Sequence, residues 1–122
     1  MERAHFRRLV REALDEIPDP IRRQIHNVDL VIEDAPGEHD LEVSGIEHGH
    51  LLLGLYHGVP LTARGENYNL VLPDRISIYQ DNIEAVCNTD DEVREQVRVT
   101  VLHEIGHYFG IDDDRLHELG MA

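Results

Sequence analysis

The chain is short of cysteine, of positive charge and of long apolar runs. Cys87 is its one cysteine among 122 residues, so no internal disulfide can form, and a buried, inert thiol is expected. Lysine and arginine together number 11 against 25 acids, a formal net charge of −14. Such a chain repels phosphate backbones, so nucleic acid is not an expected partner. It favours basic peptides or a basic partner, although acidity also serves solubility. No segment approaches the roughly 20 apolar residues of a membrane span. Met1–Arg8 has no apolar core of signal-peptide length. A membrane is therefore not expected as a partner, and a reducing, cytoplasmic home is. With 41% hydrophobic residues and no long low-complexity run, a single folded domain over residues 1–122 with a modest core is expected.

What is present concentrates at one place. His103-Glu104-Ile105-Gly106-His107-Tyr108-Phe109-Gly110-Ile111-Asp112-Asp113 reads H-E-x-x-H-x-x-G-x-x-D. Residues four apart on an α-helix lie on one face, one turn above the other. His103 and His107 can thus point two imidazoles at one metal ion. Glu104, beside the first of them, can reach a water at that metal as general base, the arrangement of a zinc-dependent hydrolase. In a chain this rich in His and Glu, the short pattern has roughly a 5–10% chance of arising by accident; Gly110 and Asp113 at their offsets lower that to well under about 0.1%. Cys87 lies too far along the chain from this motif to imply a thiolate ligand.

Two ligands on one helix do not hold a catalytic zinc; a third protein ligand is usual. Asp113 would be about 600° round and roughly 9 Å further along a continuous helix, out of reach. Gly110 can take the left-handed conformation that ends a helix and turns the chain back. Asp113 is then the third ligand. The alternative is that Gly110 is only a cap and Asp112, Asp113 and Asp114 form the first turn of another helix. His117 is a further candidate for third ligand.

Upstream, Phe6, Leu9, Val10, Ala13, Leu14 and Ile17 follow the i, i+3, i+4, i+7 spacing of an amphipathic helix over residues 2–17. Arg3, Arg7, Arg8 and Arg11 make its other face basic, either a solvated face paired with nearby acids or a dock for an acidic partner. Pro18-Asp19-Pro20 breaks that helix and starts a short one. Strands are expected over 28–33, 51–57 and 75–80, with residues 35–49 and 61–73 as loops, the first with at most a short helical turn. Asp81 is expected to cap a short helix through Cys87. Thr89-Asp90-Asp91-Glu92 is a capping box, and the helix it opens should run to about Phe109. Val93, Val97, Thr100, Val101, Glu104 and Tyr108 approximate one stripe along it, with the metal face beside it, and its N-terminal half is expected to anchor it. His48, His50 and His57 read as exposed histidines rather than a second metal site.

Residues 99–112 around the motif, with Leu53-Gly54-Leu55-Tyr56-His57-Gly58-Val59-Pro60-Leu61 and Leu72-Pro73-Asp74-Arg75-Ile76, resemble a family of small bacterial zincin-like metallopeptidases, sometimes called minimal zincins. The resemblance implies an α+β fold: a small mixed β-sheet packed with helices, including the H-E-x-x-H helix. It implies Zn2+ as cofactor on His103, His107 and Asp113, with Glu104 catalytic. It also implies an edge strand, here 51–57, that takes an extended peptide by strand addition; the acidic charge favours a basic one. Tyr108, His117 and Tyr79 are candidates for steadying the oxyanion. Two rivals remain: a metal-binding regulatory or interaction module without strong catalysis, and a metal-dependent endoribonuclease. Glu104 counts against the first, since a structural site needs no general base. Glu104, Asp113 and the acidic charge count against the second.

Overall fold

A computed structural model describes residues 1–24, 28–44, 51–58 and 74–109. Its elements run α1 (Arg3–Asp15), α2 (Asp19–Gln24), β1 (Asp29–Glu33), α3 (Glu38–Ser44), β2 (Gly54–His57), β3 (Arg75–Tyr79), α4 (Gln80–Ala85) and α5 (Asp90–Tyr108). The three strands form a sheet in the order β1-β3-β2, with β1 parallel and β2 antiparallel to β3. This is the small mixed sheet with helices that was expected.

Alternation along each strand divides the sheet into two faces. Ile76 and Ile78, with Leu30, Ile32 and Tyr56, point into the main core, where they meet Phe6, Leu9, Val10 and Ala13 of α1 and Val93, Val97, Val101 and Ile105 of α5. The apolar stripe predicted for α1 is therefore its buried face. The chain leaves the helix at Asp15, yet Ile17 stays buried because its amide donates to the Leu14 carbonyl (3.1 Å). Leu52, Leu55 and Tyr79 form a smaller cluster; Leu55 pairs with Ser77 on the opposite sheet face. Two contacts tie α1 to α5 at the surface, a hydrogen bond between His5 and Asp90 (2.9 Å) and the Arg94–Glu12 ion pair (3.0 Å). Among the described residues, no helix is long and apolar enough to cross a membrane.

The structure departs from the sequence expectations within several elements and at their ends; α4, for one, stops at Ala85 rather than Cys87. Residues 38–44 are a helix rather than a loop. Glu38 and Asp40 suit its N-terminal dipole, but seven residues cannot hold a helix alone; Asp40 is anchored by the Tyr79 hydroxyl, which donates to it at 2.9 Å. The second strand is only Gly54–His57. Leu51–Leu53 lie outside the ladder, although the Leu53 carbonyl accepts from the Tyr79 amide (3.0 Å) and the Leu52 carbonyl from the Asn82 side chain (2.8 Å). Gln80 begins α4 rather than ending β3, and Asp81 sits within the first turn instead of capping it; its amide donates to the Asp34 carbonyl (2.9 Å). Cys87 is half-buried rather than buried, and burial, then Glu92, raises its thiol pKa, so the inert reading stands.

The capping box forms with one variation. Thr89 Oγ1 accepts from the Glu92 amide (3.1 Å), while the Glu92 carboxylate reaches the Asn88 amide (2.7 Å), one residue before the cap. Three acids in the first turn add to it. Since α5 carries the functional motif, its start matters: Thr89→Ala is expected to cost about 1 kcal/mol, read as a lower urea midpoint with an unchanged slope. Thr89→Asp, which restores an acceptor, should recover most of it.

Candidate metal centre

The first two-thirds of α5 are packed against α1 and the sheet by Val93, Val97 and Val101. The helix continues unbroken through His107, with Phe109 at its C-cap. His103 and His107 therefore stack one turn apart on a rigid rod. Their rings meet edge to face, centroids 4.7 Å apart and planes at 72°. Glu104 is turned about 100° from His103 round the helix, which takes it inward: it is 4% exposed, whereas both histidines are half-buried. One ligand atom from each of His103, Glu104 and His107 falls within 4.8 Å of the others, and no other such metal-holding group occurs among the described residues.

Glu104 Oε2 is buried and lies 3.1 Å from His107 Nδ1, but no group donates a hydrogen bond to it among the described residues. A desolvated carboxylate oxygen in that state is costly. Beside two imidazoles it is an acceptor for which no donor is provided among the described residues. Two neutral-nitrogen ligands with a carboxylate alongside are the donor chemistry that suits zinc, so the residues present fit that ion. Asp113, Gly110, Asp112 and His117 lie outside the described residues, as do His48 and His50, and the side chain of Tyr108.

A cleft of about 270 Å³ opens next to this group. It is lined by Leu51, Leu52, Leu53 and Gly54 on one side and by Gln96, Val99, Thr100, His103 and Glu104 on the other. Its base is the close approach of β2 to α5 at Gly54: a Cβ built there would stand 2.6 Å from Thr100 Cγ2 and 3.0 Å from the Ser77 carbonyl. Gln96 Nε2 donates to Thr100 Oγ1 (3.2 Å) along the helix side. Of these, His103 and Glu104 are the site residues expected from sequence and Leu51–Gly54 belong to the expected peptide-taking strand, whereas Gln96, Val99 and Thr100 were not singled out as part of a site. One signal was there: a glycine inside an apolar strand run often marks a place where another element comes close.

Two other sequence candidates are placed elsewhere. Tyr79 is fully buried, its hydroxyl committed to Asp40. Burial first, then that bond, pushes its phenol pKa upward. His57 is half-buried rather than exposed, its Nε2 3.2 Å from Ser77 Oγ. Burial, then Arg75, lowers its pKa below the usual histidine value of about 6.5. The unfolded chain thus binds this proton more readily than the folded one. His57 contributes stability above that usual value, and the contribution is lost as pH falls below it. Between pH 7 and pH 5 the wild type should lose more thermal stability than His57→Gln; equal losses would show that His57 does not titrate this way.

The likeness to known proteins agrees with this geometry. A solved structure, a conserved hypothetical protein from Thermus thermophilus, shares the fold with a TM-score of 0.54 at 24% identity, over 94% of each chain. No curated protein matches the chain. The family model for zincin-like metallopeptidases matches residues 25–121. With the His103–Glu104–His107 group on one helix beside a cleft, and that match over most of its length, the chain belongs to the zincin-like metallopeptidase family.

Proposed function

We propose that this protein is a zinc-dependent peptidase that cleaves extended peptides. The observation that carries the reading is Glu104: a buried carboxylate with an oxygen that receives no hydrogen bond among the described residues, set between two imidazoles and an open cleft. A structural metal site has no use for such a group; a general base has. Zinc, when bound, polarises a peptide carbonyl and lowers the pKa of water towards about 7. His103 and His107 hold the ion, with Asp113 proposed as the third ligand. Glu104 takes a proton from the attacking water and returns it to the leaving amine. Its burial keeps it from bulk solvent and in one position between the two steps. Leu51–Leu53 and Val99 give the cleft an apolar side, suited to an aliphatic side chain next to the cleaved bond. The formal charge of −14 favours basic residues elsewhere in the peptide. We place the protein in the cytoplasm on its lone cysteine.

The test is metal content by elemental analysis, without an affinity tag, followed by peptide cleavage. Wild type is expected to hold about one zinc per chain. The His103→Ala/His107→Ala double variant should lose it together with hydrolysis, and Asp113→Ala should lose most of both. Zinc retained by Asp113→Ala would reassign the third ligand. A wild type that takes up no zinc on reconstitution would remove the basis of the reading.

A further inference from the structure

The basic face of α1 is not uniformly engaged. The chain has no lysine, so its 11 cations are all arginines, set against 25 acids. Arg3 is held by Asp34, by Gln80 (2.6 Å) and by the Ile32 carbonyl (3.0 Å). Arg8 Nη2 lies 3.0 Å from His5 Nδ1. Arg7 and Arg11 are exposed and have no ion pair or hydrogen bond to any described residue. In so acidic a chain, two adjacent guanidinium groups left without carboxylates call for an explanation.

Both border a groove of about 450 Å³, whose other walls are Val10 and Leu14 of α1 and Leu30, Val31 and Ile32 of β1. The groove follows a sheet edge. Within the described residues β1 pairs only with β3. The Asp29 amide donates to the Asp74 carbonyl on the β3 side (3.0 Å). Backbone groups alternate in direction along a strand, so Leu30 and Ile32 present theirs at the opposite, open edge. Arg3 on the Ile32 carbonyl marks one end of that edge; the Leu30 amide and carbonyl and the Ile32 amide have no partner among the described residues and are available to another strand.

We propose that this groove docks an extended acidic segment of a partner protein, added as a strand along β1, with alternate glutamates on Arg7 and Arg11. The spacings agree. Four residues along a helix rise about 6 Å, and two residues along a strand advance about 6.6–6.8 Å. Side chains i and i+2 of an added strand can therefore each meet one arginine. Glutamate suits better than aspartate, because its methylenes can lie over Leu14 and Leu30 while the carboxylate reaches the guanidinium. The residue between the glutamates points to the opposite sheet face, beside Val31, and is best β-branched. A second copy of this chain fits less well. A two-fold axis joining two β1 edges would bring the Arg7 and Arg11 rows of both copies together, like charge on like. The dock lies on α1 and β1, whereas the metal group lies on α5 beside β2, and it does not depend on the peptidase reading.

The test is fluorescence anisotropy of a fluorescein-labelled peptide of alternating glutamate and valine, about eight residues long, a length sufficient for one strand, titrated with the full chain. Saturable binding is expected, weakening with added salt. Arg7→Glu/Arg11→Glu should weaken it by about tenfold or more, and Arg7→Lys/Arg11→Lys by less. A peptide with glutamine for glutamate should bind about tenfold more weakly to the wild type itself, a comparison independent of any folding defect in a variant. Bound peptide should slow hydrogen exchange at the Leu30 and Ile32 amides. Equal affinity for the glutamine peptide, binding indifferent to the arginine variants, or no saturable binding would overturn the proposal. So would a dimer in sedimentation that the double glutamate variant abolishes, since a second copy would then occupy the groove.

Discussion

Glu104→Gln is expected to lose peptide hydrolysis by about 10²–10⁴-fold, the usual contribution of a positioned acid–base group, while retaining zinc. Its metal-free form should at the same time be more stable than the wild type, by about 1–2 kcal/mol. Both effects come from one feature. The wild-type carboxylate is 4% exposed, and its Oε2 receives no hydrogen bond among the described residues. Folding without metal therefore desolvates a carboxylate whose near neighbour is the His107 imidazole, with Nδ1 at 3.1 Å but no hydrogen bond. The amide has the same shape and no charge, so the fold is relieved of that cost; it also has no basic oxygen with which to take a proton. His103 and His107 keep their places because α5, not Glu104, positions them. The measurements are zinc content, cleavage rate and urea unfolding with and without metal. Loss of activity, zinc and stability together would make Glu104 a structural group. Full activity in the variant would remove it from the chemistry.

Gly54→Val is expected to destabilise the fold by about 1–3 kcal/mol. At this residue β2 touches α5. An added Cβ meets Thr100 Cγ2 at 2.6 Å, the Ser77 carbonyl at 3.0 Å and Ile78 Cδ1 at 3.4 Å. The Ser77 carbonyl is backbone in the adjacent strand and cannot give way, so β2 must move off the helix. That movement alters the cleft, whose walls are the residues on either side of this contact. Zinc binding, which rests on α5, should persist while cleavage falls. Thr100→Ser provides the check. It removes the methyl at 2.6 Å and keeps the hydroxyl that accepts from Gln96. Gly54→Ala should cost less in the Thr100→Ser background than in the wild type, by about 0.5 kcal/mol or more. Strict additivity would mean that the two residues do not press on each other.

These two predictions differ in how far they could be read from the chain. The role proposed for Glu104 was legible because H-E-x-x-H is a statement about one helix: two ligands four residues apart and a base beside the first are fixed by a 3.6-residue turn. The capping box at Thr89, the stripe of α1 and the stripe of α5 at Val93, Val97, Thr100, Val101 and Glu104 were legible for the same reason. Gly54 was visible as an oddity in an apolar run, but its partner Thr100 was not, because nothing local says which helix a strand will approach.

What the sequence determined by itself is what local geometry and periodicity dictate: the long helix and the residues able to meet one metal; the α+β class came from the family resemblance. Tertiary structure decided the rest. It made a helix of residues 38–44, too short to stand alone, by anchoring Asp40 on Tyr79. It half-buried His57 against Ser77, 20 residues away. It built the cleft from residues 51–54 and 96–104, and it gave Arg3 partners on β1 and α4 while leaving Arg7 and Arg11 without any among the described residues. Each of these depends on which distant segments share a surface, and that is set by the packing of the whole core rather than by any property of the residues concerned.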